Sequence, residues 1–228
     1  MSKDNNIIVM KQKVYILGVG HNTPVCIDLA IACNYEVIGL YHYNDSRSNQ
    51  IDHGFPILGS FDDLFNSNMV KGNNFILSMG DNMIRSSLCK RIIDAGGHVP
   101  TLIHPNSVIS TFSKISNIGV QIFPYVNIMA DTEIGEDTII LSHSVITHST
   151  KIGNHCYISL NVVIGAYTCV EDYVDFGMGA LSISGKVNVI GHHSFIGARS
   201  LITKDIPSYS LVLGSPARIV RKTLSEPK

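Results

Sequence analysis

No apolar run in the 228-residue chain approaches the roughly 18 residues that span a bilayer. The opening MSKDNNIIVMKQK holds an apolar stretch too short, and too polar in its flanks, for a secretory signal. Charge of one sign is equally missing. The 17 basic and 18 acidic side chains are spread evenly over both halves, so no tail is built to neutralise phosphates and nucleic acid is not an expected partner. The five cysteines, Cys26, Cys33, Cys89, Cys156 and Cys169, are odd in number and form no CxxC, which argues against a disulfide framework or a zinc knuckle and for reduced, mostly buried thiols. The expectation is a cytoplasmic protein that does not insert into membranes.

Before residue 100, β-rich runs alternate with helical patterns. KVYILGVG (13–20), YEVIGLYHY (35–43) and NNFILSMG (73–80) read as the main strands, and residues 23–33 and 82–95 as helices. FPILGSFDDLF (55–65) reads as a short strand or turn followed by a helix capped by Ser60, and Gly96 and Gly97 close the last helix. This alternation predicts a small parallel sheet with crossover helices, a Rossmann-like α/β unit. Gly18 and Gly20 follow the first strand and precede the first helix, so backbone N–H groups and a helix N-terminus meet where a pyrophosphate binds. Thr23 takes the place of the third glycine of a dinucleotide fingerprint, and an ordinary tight turn is the alternative.

After residue 100 the period changes. Every sixth residue from Ile122 is apolar: Ile122, Ile128, Ile134, Ile140, Ile146, Ile152, Ile158, Ile164, Val170 and Phe176. With 45% of residues hydrophobic, ten hits in one register arise by chance in about 3 of 10,000 sequences, so the repeat is genuine. Four residues after each stands a small or β-branched residue, from Val126, Thr132, Thr138 and Ser144 through to Ala180. After an irregular stretch over 182–189, the register resumes at Ile190, Ile196 and Ile202. A period of six belongs to no single helix or strand. It predicts stacked coils, each repeat one short strand and a turn, with the large side chains in a column inside and the small ones where the coil bends. A string of hairpins would show turn signals every 8–12 residues and no fixed register.

Ile-led hexapeptides resemble those of the left-handed parallel β-helix acyltransferases. The order of a small α/β domain, LIHP (102–105) with SVIS (107–110), the repeats, and GSPAR (214–218) is similar to the sugar acetyltransferases of bacillosamine biosynthesis and their sialic-acid O-acetyltransferase-like relatives, from about Lys13 to Lys222. The resemblance implies an α/β nucleotide-sugar domain over 13–100 after a tail at 1–12, a left-handed β-helix over 101–210, and a C-terminal tail at 211–228. It implies a homotrimer with acetyl-CoA between neighbouring subunits and a nucleotide-amino-sugar substrate for surface glycan synthesis. SVITHSTKIG (144–153) matches the catalytic coil and puts His148 at the general base, a task suited to an imidazole near neutral pH. Ser149 stands where relatives usually carry an acidic residue that tunes the base, and Glu136 or Asp137 of a neighbouring subunit are candidates to replace it.

The same resemblance places Tyr157, Ala166, Met178 and Ala198 against acetyl-CoA, chiefly through backbone groups. GVGHN (18–22) and MGDNMIRSSLCKRI (79–92) place Gly18, Val19, Gly20, His21, Gly80, Asn82 and Arg85 against the nucleotide sugar, and the segment after the second strand adds Tyr41 and His42, where relatives tend to carry paired carboxylates one or two residues earlier. Arg199, Lys204, Arg218, Arg221 and Lys222 gather near the end of the chain, where CoA phosphates would meet compensating charge. Rival readings remain. The group transferred to could be a hydroxyl of a sialic-acid-like sugar, or the protein could be a trimeric scaffold without turnover. His143 and His148 have the five-residue separation of a zinc pair in β-helix carbonic anhydrases, but the place of the third ligand is Ser107, and zinc catalysis needs three. No metal is expected.

Overall fold

The computed structural model describes residues 11–222. The first unit has strands β1 (Gln12–Leu17), β2 (Tyr35–His42), β3 (Ile51–Asp52), β4 (Phe55–Ser60) and β5 (Asn74–Leu77), and helices α1 (Thr23–Ala32), α2 (Phe61–Asn66) and α3 (Asn82–Asp94). The sheet order is β3-β4-β2-β1-β5, parallel except where β3 pairs antiparallel with β4. Helices begin where local chemistry stops a strand. Ser60 accepts from the Asp63 N–H while the Asp63 carboxylate accepts from the Ser60 N–H, a capping box that turns β4 directly into α2. Asp81 caps α3 by accepting from the Ile84 N–H.

From Leu102 on, two-residue parallel strands stack every 18 residues into three faces. The first face carries Gln121, Ile139, Tyr157, Asp175 and Phe195 outward, the second Val108, Asn127, Val145, Val163, Leu181 and Leu201, and the third Lys114, Glu133, Lys151, Cys169 and Val189. The predicted isoleucine column is the core, continuous from Ile122 to Ile202. The small residues four positions later are also wholly buried, and their hydroxyls have a task. Thr138 Oγ1 donates to the Gly153 carbonyl, Ser144 Oγ to Ser159 and Thr150 Oγ1 to Gly165, so each bend is tied to the next coil. This satisfies polar groups that a bend would otherwise bury unpaired.

The stack begins one coil before the clean repeat. Ile103 pairs with Ile122 across 19 residues rather than 18, so one extra residue hides the first coil from a strict count of six. The irregular stretch is narrower than 182–189: Leu181–Ser182 and Val189–Ile190 are strands, and Ser182 keeps the interior place. The expected tail after residue 210 is, over its described part, a hairpin of Ser210–Leu213 and Arg218–Lys222 that extends the first face. A tail reading fails here because Leu211 and Val212 pair in register with Phe195 and Ile196, and Val212 and Ala217 close the end of the column. Among the described residues no helix is long and apolar enough to cross a membrane.

The α/β unit sits on the first face. Val14, Ile16, Cys26, Ile27 and Leu29 share one cluster with Phe123 and Ile139, and Gln121 Nε2 donates to the Leu77 carbonyl at 2.8 Å. Arg85 is the largest wholly buried side chain. Its guanidinium meets the Asp137 carboxylate at 3.1 Å and donates to the carbonyls of Asp137 and His155, binding α3 to the coils.

Candidate functional site

The chain ends of β1, β2 and β5 and the start of α1 enclose a cavity of about 380 Å³ lined by Gly18, Gly20, His21, Tyr43, Phe61 and Met79. Open parallel sheets bind ligands in this place, beyond the carboxyl ends of their strands. Gly18 has a φ of +105°, and a Cβ there would lie 2.4 Å from Ser78 Oγ, so glycine alone adopts this turn without backbone strain or displacement of the Ser78 hydroxyl. Thr23 does more than interrupt a fingerprint. Its hydroxyl accepts from the Gly20 N–H at 2.7 Å and donates to the Gly18 carbonyl at 3.2 Å, fixing the turn. Asn22 begins α1 without a side-chain cap bond; the Thr23 N–H is taken by the Gly20 carbonyl and Pro24 has none, so Val25 supplies the first-turn N–H open to an anion.

Asn22 and Ser78 also line a second cavity of about 200 Å³ between α1 and the first face, walled by Val25, Phe123, Ile139, Leu141, Tyr157 and Leu160. Of the expected sugar-side residues, Gly18, Val19, Gly20, His21 and Gly80 line the first cavity, and a Cβ on Gly80 would rest 3.7 Å from the Tyr157 ring. Four others lie outside this cavity. Tyr41 is buried against Tyr15. His42 is buried with Nδ1 on the Asn44 carbonyl at 2.9 Å. Arg85 is spent on Asp137 and backbone carbonyls, and the buried Asn82 bonds Arg85 and the Asp175 carboxylate. Asn22, Tyr43, Phe61, Ser78 and Ile84 also line the first cavity; of these, Tyr43 and Ser78 could have been found in the sequence, since they directly follow the ends of β2 and β5.

His148 stands exposed on the bend between the second and third faces. Its Nδ1 lies 3.3 Å from Ser149 Oγ, and its ring meets the Tyr167 ring edge-on at 5.2 Å. Ala166 is one coil further along the same bend, buried, with its N–H donating to Ser184 Oγ, so it has no free amide to offer. Met178 and Ala198 lie on a different bend, between the first and second faces, and Tyr157 lies on the first face. A single chain therefore does not gather the expected cofactor residues. Asp137 is wholly buried against Arg85 and cannot serve as the missing carboxylate beside a base; Glu136 lines a cleft with His155 and Tyr173 on the bend between the third and first faces.

His143 stacks on Tyr125 at 5.1 Å, and Ser107 Oγ donates to the Phe123 carbonyl. Among the described residues no three His, Cys, Asp or Glu side chains are grouped to hold a metal ion. All five cysteines are unpaired, and burial pushes the thiols of Cys26, Cys89 and Cys156 up to about 12, which leaves them inert as nucleophiles. Arg199, Lys204, Arg218 and Arg221 are exposed on the last coils and the hairpin.

One carboxylate under the α/β unit is displaced from its ordinary range. Burial on the first face pushes Asp175 up to about 6, against the opposing pull of the Asn82 hydrogen bond and Arg85, while Asp81 adds to the rise. A pKa raised on folding makes the native state hold more protons than the unfolded state between about 4 and 6. This group therefore adds stability as pH falls through that window and costs stability above it. Asp175→Asn is expected to raise the Tm at pH 8 and to leave it unchanged at pH 4; an equal shift at both would mean that packing, not charge, is responsible.

Residues 13–92 match the PglD N-terminal domain family. Over 88 residues the chain is 35% identical to an acyl-[acyl-carrier-protein]–UDP-N-acetylglucosamine O-acyltransferase of Pseudomonas aeruginosa, covering 39% of this chain and 33% of that one. The chain thus spans about a third of the length of the curated relatives it matches. A histidine-to-alanine variant of GDP-perosamine N-acetyltransferase from Caulobacter crescentus, solved in complex with CoA and GDP-perosamine, is 28% identical with a TM-score of 0.83 over 91% of this chain and 96% of that one. The acetyltransferase domain of PglB from Neisseria gonorrhoeae, 23% identical with a TM-score of 0.81 over 92% and 100%, shares the fold. Its first domain thus matches the PglD N-terminal domain family, and the chain has the left-handed β-helix fold of these sugar acetyltransferases.

Proposed function

We propose that this protein transfers the acetyl group of acetyl-CoA to an amino group of a nucleotide-linked deoxyamino sugar, in the synthesis of a surface glycan. The observation that carries the reading is the likeness, over 91% of the chain, to an enzyme seen with both CoA and GDP-perosamine. The pyrophosphate lies against the glycine turn, within reach of the Val25 N–H at the start of α1, and the nucleoside lies by Tyr43 and Phe61. The sugar enters the apolar cavity against Tyr157, whose wall of Val25, Phe123, Ile139 and Leu141 suits deoxy carbons better than a hydroxyl-rich ring. The phosphates of acetyl-CoA meet Arg199, Lys204, Arg218 and Arg221.

Chemistry falls to His148. With its Nδ1–H donating to Ser149 Oγ, the lone pair is on Nε2. It takes a proton from the amine as the nitrogen bonds to the thioester carbonyl carbon. Backbone amides along the coils stabilise the oxyanion, the C–S bond breaks, and the CoA thiolate recovers the proton from the imidazolium.

This reading needs a second copy of the chain. In one chain the second face lies between the His148 bend and the bend that flanks the sugar cavity. That face is apolar, with Val108 64% and Leu181 39% exposed, whereas the third face carries the ion ladder Lys114–Glu133–Lys151. Packing the second face of each subunit against a neighbour in a closed threefold ring removes apolar surface from water and brings one subunit's His148 toward its neighbour's cavity. Light scattering is expected to give the mass of three chains; a one-chain mass at micromolar concentration would sink the shared site. Calorimetric titration with acetyl-CoA is expected to show saturable binding, and no heat would favour the scaffold.

A further inference from the structure

We propose that Tyr167 is a positioning residue that holds the His148 imidazole in its working orientation, an inference that rests on the reading of His148 as the base. The bends place non-glycine residues at positive φ, among them Tyr125, His143, His155, Tyr167, Tyr173, His193 and Tyr209. Bulky side chains adopt this conformation at a cost, and glycine, asparagine or aspartate would be easier there. Elsewhere in the helix, ring stacking along a bend offsets the cost. Tyr125 stacks on His143 at 5.1 Å, and Tyr173, His193 and Tyr209 form a near-parallel column with spacings of 4.7 and 5.1 Å.

Tyr167 has no such column. Its neighbours one coil away on the same bend are Ser149 and Gly185, neither of which has a ring. It is 64% exposed, so core packing does not hold it either. Its one ring contact among the described residues is His148, at 5.2 Å and 88°. The dependence runs both ways, because the single hydrogen bond to the His148 ring is the 3.3 Å contact with Ser149 Oγ, beyond the usual length. One long bond to a hydroxyl leaves the imidazole free to rotate. The perpendicular tyrosine ring blocks part of that rotation and keeps Nε2 on the line of proton transfer, where small misplacements are costly.

The contact is tested in the full-length protein by spectra of ¹³C-labelled histidine, with the His148 signal identified by its loss in His148→Ala. Tyr167→Phe keeps the ring and is expected to leave that signal in place; Tyr167→Leu removes the ring current and should move it. A His148 signal unmoved by Tyr167→Leu would overturn the proposal without touching the base. The consequence is tested by acetyl transfer from acetyl-CoA to GDP-perosamine. Tyr167→Leu is expected to lower kcat about tenfold with both KM values kept, and Tyr167→Phe to restore it. In a His148→Ala background, Tyr167→Leu should cost nothing further. A raised KM with kcat intact would make Tyr167 a substrate contact instead. Full turnover in His148→Ala would overturn the base itself, a result that the single Tyr167 variants cannot produce.

Discussion

Replacing His148 by alanine is expected to lower kcat by about 100- to 10,000-fold, the range that a general base contributes, while the KM for acetyl-CoA stays nearly unchanged. The two constants separate because a base acts on the proton in flight and adds little to ground-state binding. His148 is suited to this loss. It is exposed, bonds only its neighbour's hydroxyl and touches one ring, so its removal leaves no cavity and no buried orphan, and the Tm should hold. His143, five residues earlier, packs on Tyr125, and His143→Ala is expected to change kcat by only a few fold. Steady-state kinetics on both variants decide the matter. Equal losses, or activity that depends on added zinc, would move the chemistry away from a lone histidine base.

Arg85→Leu is expected to destabilise the protein by about 3–5 kcal/mol, the cost of breaking a buried ion pair from one side. The substitution strands the Asp137 carboxylate, which is wholly buried and already has one oxygen without a partner. It also removes donors from the carbonyls of Asp137, His155 and Cys156, which lie on the coils while Arg85 lies on α3. The penalty therefore falls on the junction between the two units. Asp137 also accepts from His155 Nδ1 at 3.0 Å, so the three side chains behave as one network. Urea unfolding should show the drop in midpoint, and the double variant Arg85→Leu with Asp137→Asn should recover part of it, since an amide suits the positive φ of this position and removes the unpaired buried charge. Lys151→Ala, at the exposed ladder of the third face, is expected to cost under about 0.5 kcal/mol. A comparable loss for Lys151 and Arg85 would contradict the account of the junction.

The coils were legible because a repeat of six can be met only by stacking, and the isoleucine column is continuous in fact. The small residue after each isoleucine was legible as a tight bend, but its hydrogen bond to the next coil was not, since Thr138 and Gly153 share no local pattern. The first coil escaped because one extra residue between Ile103 and Ile122 breaks the count. The glycine turn was readable from local sequence, as was the cap at Ser60. The partner of Arg85 was not legible, because a charged residue in a motif of polar residues reads as a ligand contact, and only the fold reveals a carboxylate 52 positions away at 3.1 Å. The separation of His148 from the cavity between α1 and the first face was invisible for the same reason. Which bend a residue occupies follows from its place in the period of 18, but which face the α/β unit covers does not.

Acetyl transfer to nitrogen on a nucleotide-linked sugar is decided by the mass of the product. The protein is incubated with acetyl-CoA and a panel of nucleotide sugars bearing a 3-amino, a 4-amino or only hydroxyl groups, and each product is weighed. A gain of one acetyl group is expected on one or more of the amino sugars, with none on the hydroxyl-only sugars and none with His148→Ala on the time scale of the native enzyme. Acetylation of the hydroxyl-only sugars, or an unchanged mass across the panel while acetyl-CoA binds, would contradict it.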